Sequence, residues 1–173
     1  ALSAVWTWWV SRPRPASLAE ALSADDRAYL SEVARDTWRV FEHCVNAGEH
    51  HLPPDNLQTV PSEMVAHRTS PTNIGLYLLV VCCAHRFGWI GTRELLGRIE
   101  ATLATLDTLQ RHRGHFLNWY DTVSAQALLP MYVSTVDSGN LCTQLLAVAQ
   151  AALEIARAPF GPTLLRHGLA ESS

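Results

Sequence analysis

Apolar residues recur at steps of three and four positions in four separate segments, which is the spacing of one face of a helix. The first segment covers residues 23–46. Ser23, with Asp26 three residues later, is typical of a helix N-terminus, and Gly48 fits the stop that follows a helix. We therefore predict a helix over this segment.

The second segment is apolar on nearly every side rather than along one stripe. Ser70 suits the N-cap of this helix and Pro71 its first position, and the apolar run continues to Ala84. Because a helix without a polar face must be covered all round, the pattern predicts an inner helix that is buried on all faces.

The last two segments predict helices over residues 92–113 and 137–155. The earlier one has a single apolar stripe and is typical of an outer amphipathic helix. The later one has either Asp137 or Ser138 as its N-cap and ends before Pro159. Together, the four segments predict an all-α fold.

Two long connections join these helices, over residues 48–69 and 114–136. Both are rich in Pro, Asn, Asp, Trp and Tyr rather than in Gly and Ser. Loops of this length are uncommon inside a domain and are usually functional. We therefore expect the binding chemistry of the chain to lie in these two loops.

Composition and charge narrow the function classes. The chain has 173 residues, 48% of them hydrophobic, which suits one globular domain. Its net charge of −3, without a run of basic residues, gives no support to nucleic acid as a partner. Metal-binding spacings and Gly-rich phosphate loops are absent from the sequence, so we predict neither a metal nor a cofactor. The four cysteines stand in apolar surroundings and are expected to be reduced core residues: Cys44, Cys82, Cys83 and Cys142.

The N-terminal stretch, residues 1–10, is apolar and carries Trp6, Trp8 and Trp9 ahead of Ser-Arg-Pro-Arg-Pro. Two interpretations stay open: the end of a membrane helix close to the membrane surface, or a strand or helix that packs on the domain. We assign residues 1–22 to a linker or membrane-proximal remnant and residues 23–173 to the domain. Since the chain begins with Ala and ends in Glu-Ser-Ser, we expect it to be a segment of a longer polypeptide.

Five multi-residue motifs follow one another at a characteristic spacing. They are Ala-Arg-Asp-Thr-Trp-Arg-Val-Phe-Glu (34–42), Leu-Pro-Pro-Asp-Asn-Leu-Gln (52–58), Arg-Thr-Ser-Pro-Thr-Asn-Ile-Gly (68–75), Gly-His-Phe-Leu-Asn-Trp-Tyr-Asp-Thr (114–122) and Ser-Thr-Val-Asp-Ser-Gly-Asn-Leu (134–141). In this order they resemble the central, transglycosylating domain of bacterial cyclic β-1,2-glucan synthases.

The resemblance implies the N-terminal part of an (α/α)6 toroid, with helices joined by long aromatic and polar loops. Such a domain rearranges or cyclises β-1,2-glucan by transglycosylation. The family's catalytic carboxylates are expected downstream, so no catalytic residue is assigned in this chain. The implied partners are β-1,2-glucan and the remaining helices and modules of the parent polypeptide. The resemblance also implies a parent protein of the bacterial inner membrane, with this segment on the cytoplasmic side.

Candidate sugar-binding residues stand together in the second loop: Asn118, Trp119, Tyr120 and Asp121. An aromatic ring covers the apolar C–H face of a sugar, whereas Asn and Asp side chains bind its hydroxyls. The alternative is structural, with Trp119 and Tyr120 in the core and Asp121 capping a turn.

Four further candidates stand near helix starts and in the first loop: Arg68, Asn73, Asp55 and Asp137. They can line the sugar cleft, or they can cap helices and form a structural Arg–Asp pair. Two other functions stay open for the chain as a whole. One is a non-catalytic helical scaffold module, and the other is a β-glucan hydrolase of the same toroid class.

Overall fold

A computed structural model of the chain describes residues 2–11 and 22–157. The chain divides into two compact units, Ala1–Arg35 and Asp36–Ser173, and the site described below lies within the second. Five α-helices are described: α1 Leu2–Val10, α2 Ala24–Cys44, α3 Pro71–Arg86, α4 Thr92–Thr108 and α5 Thr135–Arg157. The predominantly helical fold predicted from the sequence is thereby confirmed.

Six strands of two residues each add to the helices: β1 Leu57–Gln58, β2 Met64–Val65, β3 Arg68–Thr69, β4 Arg111–His112, β5 His115–Phe116 and β6 Tyr120–Asp121. They form three separate antiparallel ladders, β1 with β2, β3 with β6 and β4 with β5. The two long loops therefore have regular hydrogen bonding of their own, which the helical periodicity did not predict.

Two predicted helix starts are confirmed by their capping hydrogen bonds. At α2, the Asp26 amide donates to Ser23 Oγ over 3.0 Å, and the Ser23 amide donates to Asp26 Oδ2 over 3.2 Å. At α3, Ser70 Oγ accepts from the Asn73 amide over 3.3 Å, with Pro71 as the first helical residue. These bonds satisfy amides that have no partner inside the helix.

The predicted C-terminal end of α4 is wrong. The helix ends at Thr108, and residues 111–116 form the β4–β5 hairpin. Its two turn residues, Arg113 and Gly114, have φ of 50° and 85°, the positive values that a two-residue hairpin turn requires. The Arg111 guanidinium folds back to donate to the Leu106 carbonyl over 3.0 Å, which supplies a partner for an unpaired end of α4.

Two other helix boundaries also differ from the prediction. Helix α2 ends at Cys44, and Gly48 lies in a short 3-10 turn, Ala47–Glu49, whose cap is Asn46. Helix α5 begins at Thr135, so neither Asp137 nor Ser138 is its N-cap. Ser134 has that role instead, because its Oγ accepts from the Asp137 amide over 3.1 Å.

Helix α3 is the central element of the second unit and contributes to both of its apolar clusters. The first cluster includes Trp38, Tyr77, Leu78, Val81, Ile90, Leu95 and Val148. The second includes Leu52, Ile74, Leu106, Leu109, Leu117 and Tyr120. Within this segment α3 is not covered on all faces, since Leu76 is 46% exposed and Cys83 is also exposed.

The cysteines divide into two pairs, all four of them free. Cys44 and Cys82 are buried, and burial raises the pKa of both thiols. Cys83 and Cys142 are exposed, so the prediction of four core cysteines is wrong for these two. Adjacent helical residues point about 100° apart, which explains why Cys83 does not share the environment of Cys82.

Gly75 allows α3 and α5 to approach each other closely. A Cβ at this position would lie 2.9 Å from Gln144 Cβ and 1.9 Å from Gln144 Oε1. We expect Gly75→Ala to destabilise the domain by about 1–2 kcal/mol, because overpacking outweighs the better helix propensity of alanine. Thermal unfolding measures this change.

Gly97→Ala is the matched control, because a Cβ there meets no atom within 4 Å in helix α4. It is expected to stabilise the same domain by up to about 1 kcal/mol. Equal shifts in melting temperature for the two variants would show that the α3–α5 approach is not as close as described.

The N-terminal stretch forms helix α1 rather than a strand. Trp6, Trp8 and Trp9 are exposed, and the rings of Trp6 and Trp9 stack with centroids 5.2 Å apart. Over residues 2–11 and 22–157, none of the helices has both the length and the apolar character needed to cross a membrane.

Candidate functional site

The β3–β6 ladder joins the two long loops beside the start of α3. It pairs Arg68 with Asp121 and Thr69 with Tyr120. Strand β3, which only Ser70 separates from α3, is therefore hydrogen-bonded to the loop that carries the predicted aromatic motif. This pairing brings together candidates that lie about fifty positions apart in the sequence.

Asp55 anchors one side of the resulting cluster. Its Oδ2 accepts from Arg68 Nε over 3.2 Å and from Arg68 Nη2 over 3.0 Å. Its Oδ1 accepts from Asn73 Nδ2 over 3.2 Å. Three of the predicted site residues thus form one hydrogen-bonded group, in which the carboxylate fixes the direction of the guanidinium.

The Arg68 guanidinium also lies over the indole ring of Trp119, with its carbon 5.0 Å from the ring centroid. Contact of a cation with the face of a Trp ring is favourable and orients both groups. Trp119 is half-buried. One face of the indole is therefore occupied by Arg68, while part of the side chain remains open to solvent.

Asn118 connects this group to helix α5. Its side-chain amide lies 3.0 Å from Asp137 Oδ2, 2.7 Å from Trp119 Nε1 and 2.9 Å from the Tyr132 hydroxyl. A carboxylate only accepts and an indole N–H only donates, so these partners fix the orientation of the amide. Nδ2 donates to Asp137, and Oδ1 accepts from both Trp119 and Tyr132. Asn118 itself is only 6% exposed, and all of these polar groups have partners.

Asp137 is the acceptor at the other end of the network. Its Oδ1 accepts from the Thr72 hydroxyl over 2.6 Å, and Thr72 in turn accepts from Asn140 Nδ2 over 3.1 Å. Partial burial raises the pKa of Asp137, but hydrogen bonds from Ser134, Thr72 and Ser70 outweigh it and leave the pKa lowered. Asp137 is therefore ionised at neutral pH and serves as a fixed acceptor.

The lowered pKa of Asp137 leads to a pH-dependent contribution to stability. A carboxyl group whose folded pKa is depressed stabilises the fold above its unfolded pKa of about 4, and that stability is lost as pH falls through the folded value. We expect Asp137→Asn to lower the melting temperature by about 2–6 °C at pH 7, and we expect the difference from the wild type to shrink as the pH approaches 3.

Asp107→Asn is the control for this pH profile, because the Asp107 side chain is 85% exposed and its carboxylate lies 3.5 Å from Arg111. Exposed ion pairs of this kind contribute little. A melting-temperature difference for Asp137→Asn that is the same at pH 7 and pH 3 would contradict the role assigned to the ionised carboxylate.

Tyr120 and Asp121 have the structural roles that were the alternative for them. Tyr120 is fully buried, and its hydroxyl donates to the Gln110 carbonyl over 2.7 Å and accepts from the Leu117 amide over 2.6 Å. Tyr120 has no exposed surface on which a sugar could bind, so its prediction as a sugar-binding residue is wrong. Asp121 Oδ1 accepts from the Ser124 amide over 2.7 Å and caps a turn, and this backbone hydrogen bond lowers its pKa.

A second polar cluster lies beside the ladder and holds the first loop in position. Glu49 pairs with His67 over 3.0 Å and accepts from the Thr122 hydroxyl. His50 Nδ1 lies 3.1 Å from the Thr122 carbonyl oxygen. Within the described part of the chain, no group of three His, Cys, Asp or Glu side chains is arranged to hold a metal ion.

Two members of the network were not predicted from the sequence: Thr72 and Tyr132. Thr72 stands inside one of the five motifs, next to Asn73, which was selected. Tyr132 stands outside every motif, and its only signal was an aromatic residue in a long loop. The rest of the predicted set, with the exception of Tyr120 and Asp121, belongs to this one network.

Comparison with known proteins bears out the resemblance drawn from the motifs. No protein-family model matches the chain. Over 159 residues, 92% of its length, the chain is 45% identical to the cyclic β-(1,2)-glucan synthase NdvB of Rhizobium meliloti (strain 1021). It spans only 6% of that protein. The chain is thus related in sequence to a segment of a carbohydrate-active enzyme.

Two crystal structures share the fold. A glucoamylase-like protein from Bacteroides fragilis NCTC 9343 superposes with a TM-score of 0.63 at 19% identity, covering 89% of this chain and 36% of that one. A second, from Bacteroides caccae ATCC 43185, gives a TM-score of 0.56 at 18% identity, covering 82% of this chain and 34% of that one. At such identities the likeness concerns the fold alone.

Proposed function

We propose that this chain, as a relative of part of a cyclic β-(1,2)-glucan synthase, supplies sugar-binding residues to a domain that rearranges or cyclises β-1,2-glucan by transglycosylation. The sequence identity over 92% of the chain is the premise. Because the chain spans only 6% of that relative, the activity and the substrate are proposed for the whole protein to which such a segment contributes.

The observation that carries the proposal is the network around Trp119. A glucan offers apolar C–H faces and many hydroxyls, so its site needs an oriented aromatic ring beside fixed polar groups. Trp119 is held by Arg68 on one ring face and by Asn118 at its indole nitrogen. Asp55, Asn73 and Asp137 fix the groups around it. Orientation by such contacts lowers the entropy lost on binding.

The role proposed for the chain is binding rather than proton transfer. Asp121 and Asp137 are the carboxylates that could be considered for proton transfer. Both have lowered pKa values and accept hydrogen bonds as anions. A general acid needs a proton to give, and these groups hold one poorly at neutral pH. A nucleophile must instead be ionised and free to attack, but both oxygens of Asp137 already accept hydrogen bonds, from Asn118 and Thr72. Following the family resemblance, we propose that the catalytic carboxylates come from residues outside this chain.

Transfer to a sugar rather than to water follows from binding of this kind. A retaining mechanism forms a covalent glycosyl–enzyme intermediate, and the product depends on which hydroxyl attacks it. A site that holds a glucan chain close to the intermediate raises the local concentration of sugar hydroxyls. In this proposal the Trp119 network holds the glucan, which favours rearrangement and ring closure over hydrolysis.

The proposal includes the arrangement that the family resemblance implies. The helices of the chain would form the N-terminal part of an (α/α)6 toroid, completed by the remaining helices of the parent polypeptide. The parent protein would lie in the bacterial inner membrane, with this segment on its cytoplasmic side. The exposed tryptophans of α1 are compatible with a position close to the membrane surface.

Two measurements on the natural polypeptide that carries this chain test the proposal. Calorimetric titration with linear β-1,2-glucan is expected to give saturable binding, whereas a scaffold module would give none. Product analysis after incubation with the same glucan is expected to give rearranged or cyclic chains. Accumulation of shorter linear chains alone would favour a β-glucan hydrolase.

A further inference from the structure

Tyr132 is an exposed aromatic residue whose hydroxyl and backbone carbonyl are both hydrogen-bonded to Asn118. Its side chain is 47% exposed. Its hydroxyl nevertheless lies 2.9 Å from the Asn118 amide, and its carbonyl accepts from the Asn118 backbone amide over 2.8 Å. Most exposed aromatic side chains are free to rotate at the surface. This one is held by Asn118 at both its backbone and its hydroxyl, while nearly half of its surface stays exposed.

The same oxygen of Asn118 holds Trp119. Oδ1 accepts from Trp119 Nε1 over 2.7 Å as well as from the Tyr132 hydroxyl over 2.9 Å. The polar edges of the two aromatic residues therefore point at one atom, so the Trp119 indole nitrogen and the Tyr132 hydroxyl share a single acceptor. Asn118 Nδ2 donates to ionised Asp137, which polarises the amide and strengthens both bonds at its oxygen.

The Tyr132 side chain contributes little to the stability of the fold. A tyrosine that is nearly half exposed buries little apolar surface, and its hydroxyl could bind water equally well without a partner on the protein. Two oriented rings with open surface are instead what a chain of sugar rings requires. The stacking surface of one aromatic residue suits one sugar, and a neighbouring ring can hold the next sugar along the chain.

On the basis of the proposed function, we infer that Tyr132 is a second stacking surface for the glucan, and that Asn118 is the positioning residue that aims Tyr132 and Trp119 at neighbouring sugars. Arg68, which lies over Trp119, and Asn140, which donates to Thr72, belong to the same network and offer further polar groups. The site therefore recognises at least two consecutive glucose residues rather than a single one.

The test is calorimetric titration of the natural polypeptide with linear β-1,2-gluco-oligosaccharides of increasing length. Tyr132→Ala is expected to weaken binding of the longer oligosaccharides about tenfold, and Tyr132→Phe, which keeps the ring, only about twofold to threefold. Tyr132→Leu keeps the apolar volume without a flat ring and is expected to weaken binding as Tyr132→Ala does. Tyr29→Ala is the control, because Tyr29 is 66% exposed in α2 and belongs to no part of the network.

The outcomes separate this inference from the function on which it rests. Wild-type affinity for Tyr132→Leu, together with lost binding for Trp119→Ala, would overturn the role of Tyr132 and leave the proposed function standing. Absence of glucan binding by the wild type would overturn the proposed function itself. Should Tyr132→Ala fail to fold, Tyr132→Leu and Tyr132→Phe decide between a ring that contacts sugar and one that does not.

Discussion

Replacing Trp119 by alanine is expected to weaken the binding of linear β-1,2-glucan about 10- to 100-fold while leaving the fold intact. The indole is half-buried, and Arg68 already occupies one of its faces. Covering the remaining aromatic surface with a sugar ring is worth about 1.5–3 kcal/mol, which corresponds to this range of affinity. Calorimetric titration measures the affinity, and a melting curve of the same sample measures the stability.

Trp119→Phe is the matched control for this substitution. Phenylalanine keeps a flat ring under Arg68, so we expect it to recover most of the affinity although it cannot donate to Asn118. A large fall in melting temperature for Trp119→Ala with unchanged affinity would mean that Trp119 is a core residue. The same result would remove the basis for the proposed sugar site.

The second large effect is expected for Asn118→Asp, and it depends on pH. The substitution places an oxygen where Nδ2 now lies, 3.0 Å from Asp137 Oδ2. Two carboxylates at this separation cannot both ionise without strong repulsion, so the pKa of one of them rises. We expect the variant to lose about 2–4 kcal/mol of stability at neutral pH, since a buried hydrogen bond to an anion is replaced by a like charge.

The direction of the pH effect follows from the raised pKa. A carboxyl group whose folded pKa lies above its unfolded value stabilises the fold at low pH, and this stability is lost as pH rises through the folded pKa. The defect of Asn118→Asp is therefore expected to diminish as the pH falls from 7 towards the unfolded carboxyl pKa of about 4, because one proton is then shared by the pair. Melting curves at several pH values provide the measurement.

Asn46→Asp is the control for this profile. Asn46 is an exposed cap whose Oδ1 accepts from the Gly48 amide over 2.9 Å, and aspartate caps equally well. Its melting temperature is expected to stay close to that of the wild type at every pH. If Asn118→Asp behaved in the same way, the amide of Asn118 would not donate to Asp137, and the link between the two loops and α5 would be wrong.

Helix positions were predictable because each helix has local signals. Ser23 and Asp26 cap α2 as their spacing indicates, and Ser70 and Pro71 begin α3. The end of α4 was not predictable from apolar periodicity, because Leu109 continues the apolar stripe of Leu106 although the helix has already ended at Thr108. The stronger signal was Gly114, whose positive φ belongs to a hairpin turn.

Most residues of the candidate site could be predicted from the sequence, whereas their arrangement could not. Residue type and position selected Asp55, Arg68 and Asn73. The β3–β6 ladder brings Arg68, together with the Asp55 carboxylate bound to it, against the loop of Trp119. Tyr120 could not be distinguished from its neighbour by sequence, because both are aromatic residues of one loop. Strand alternation decides between them: β6 directs Tyr120 into the core, with its hydroxyl bound to the Gln110 carbonyl.

The measurement that tests the central claim most directly is a crystal structure of the natural polypeptide in complex with a linear β-1,2-gluco-oligosaccharide. We expect a glucose ring to lie against the face of Trp119 opposite Arg68, with carbon atoms within about 4 Å of the indole, and its neighbour to lie against Tyr132. An oligosaccharide bound elsewhere on the protein, with Trp119 still open to solvent, would contradict the assignment of this network as a sugar site.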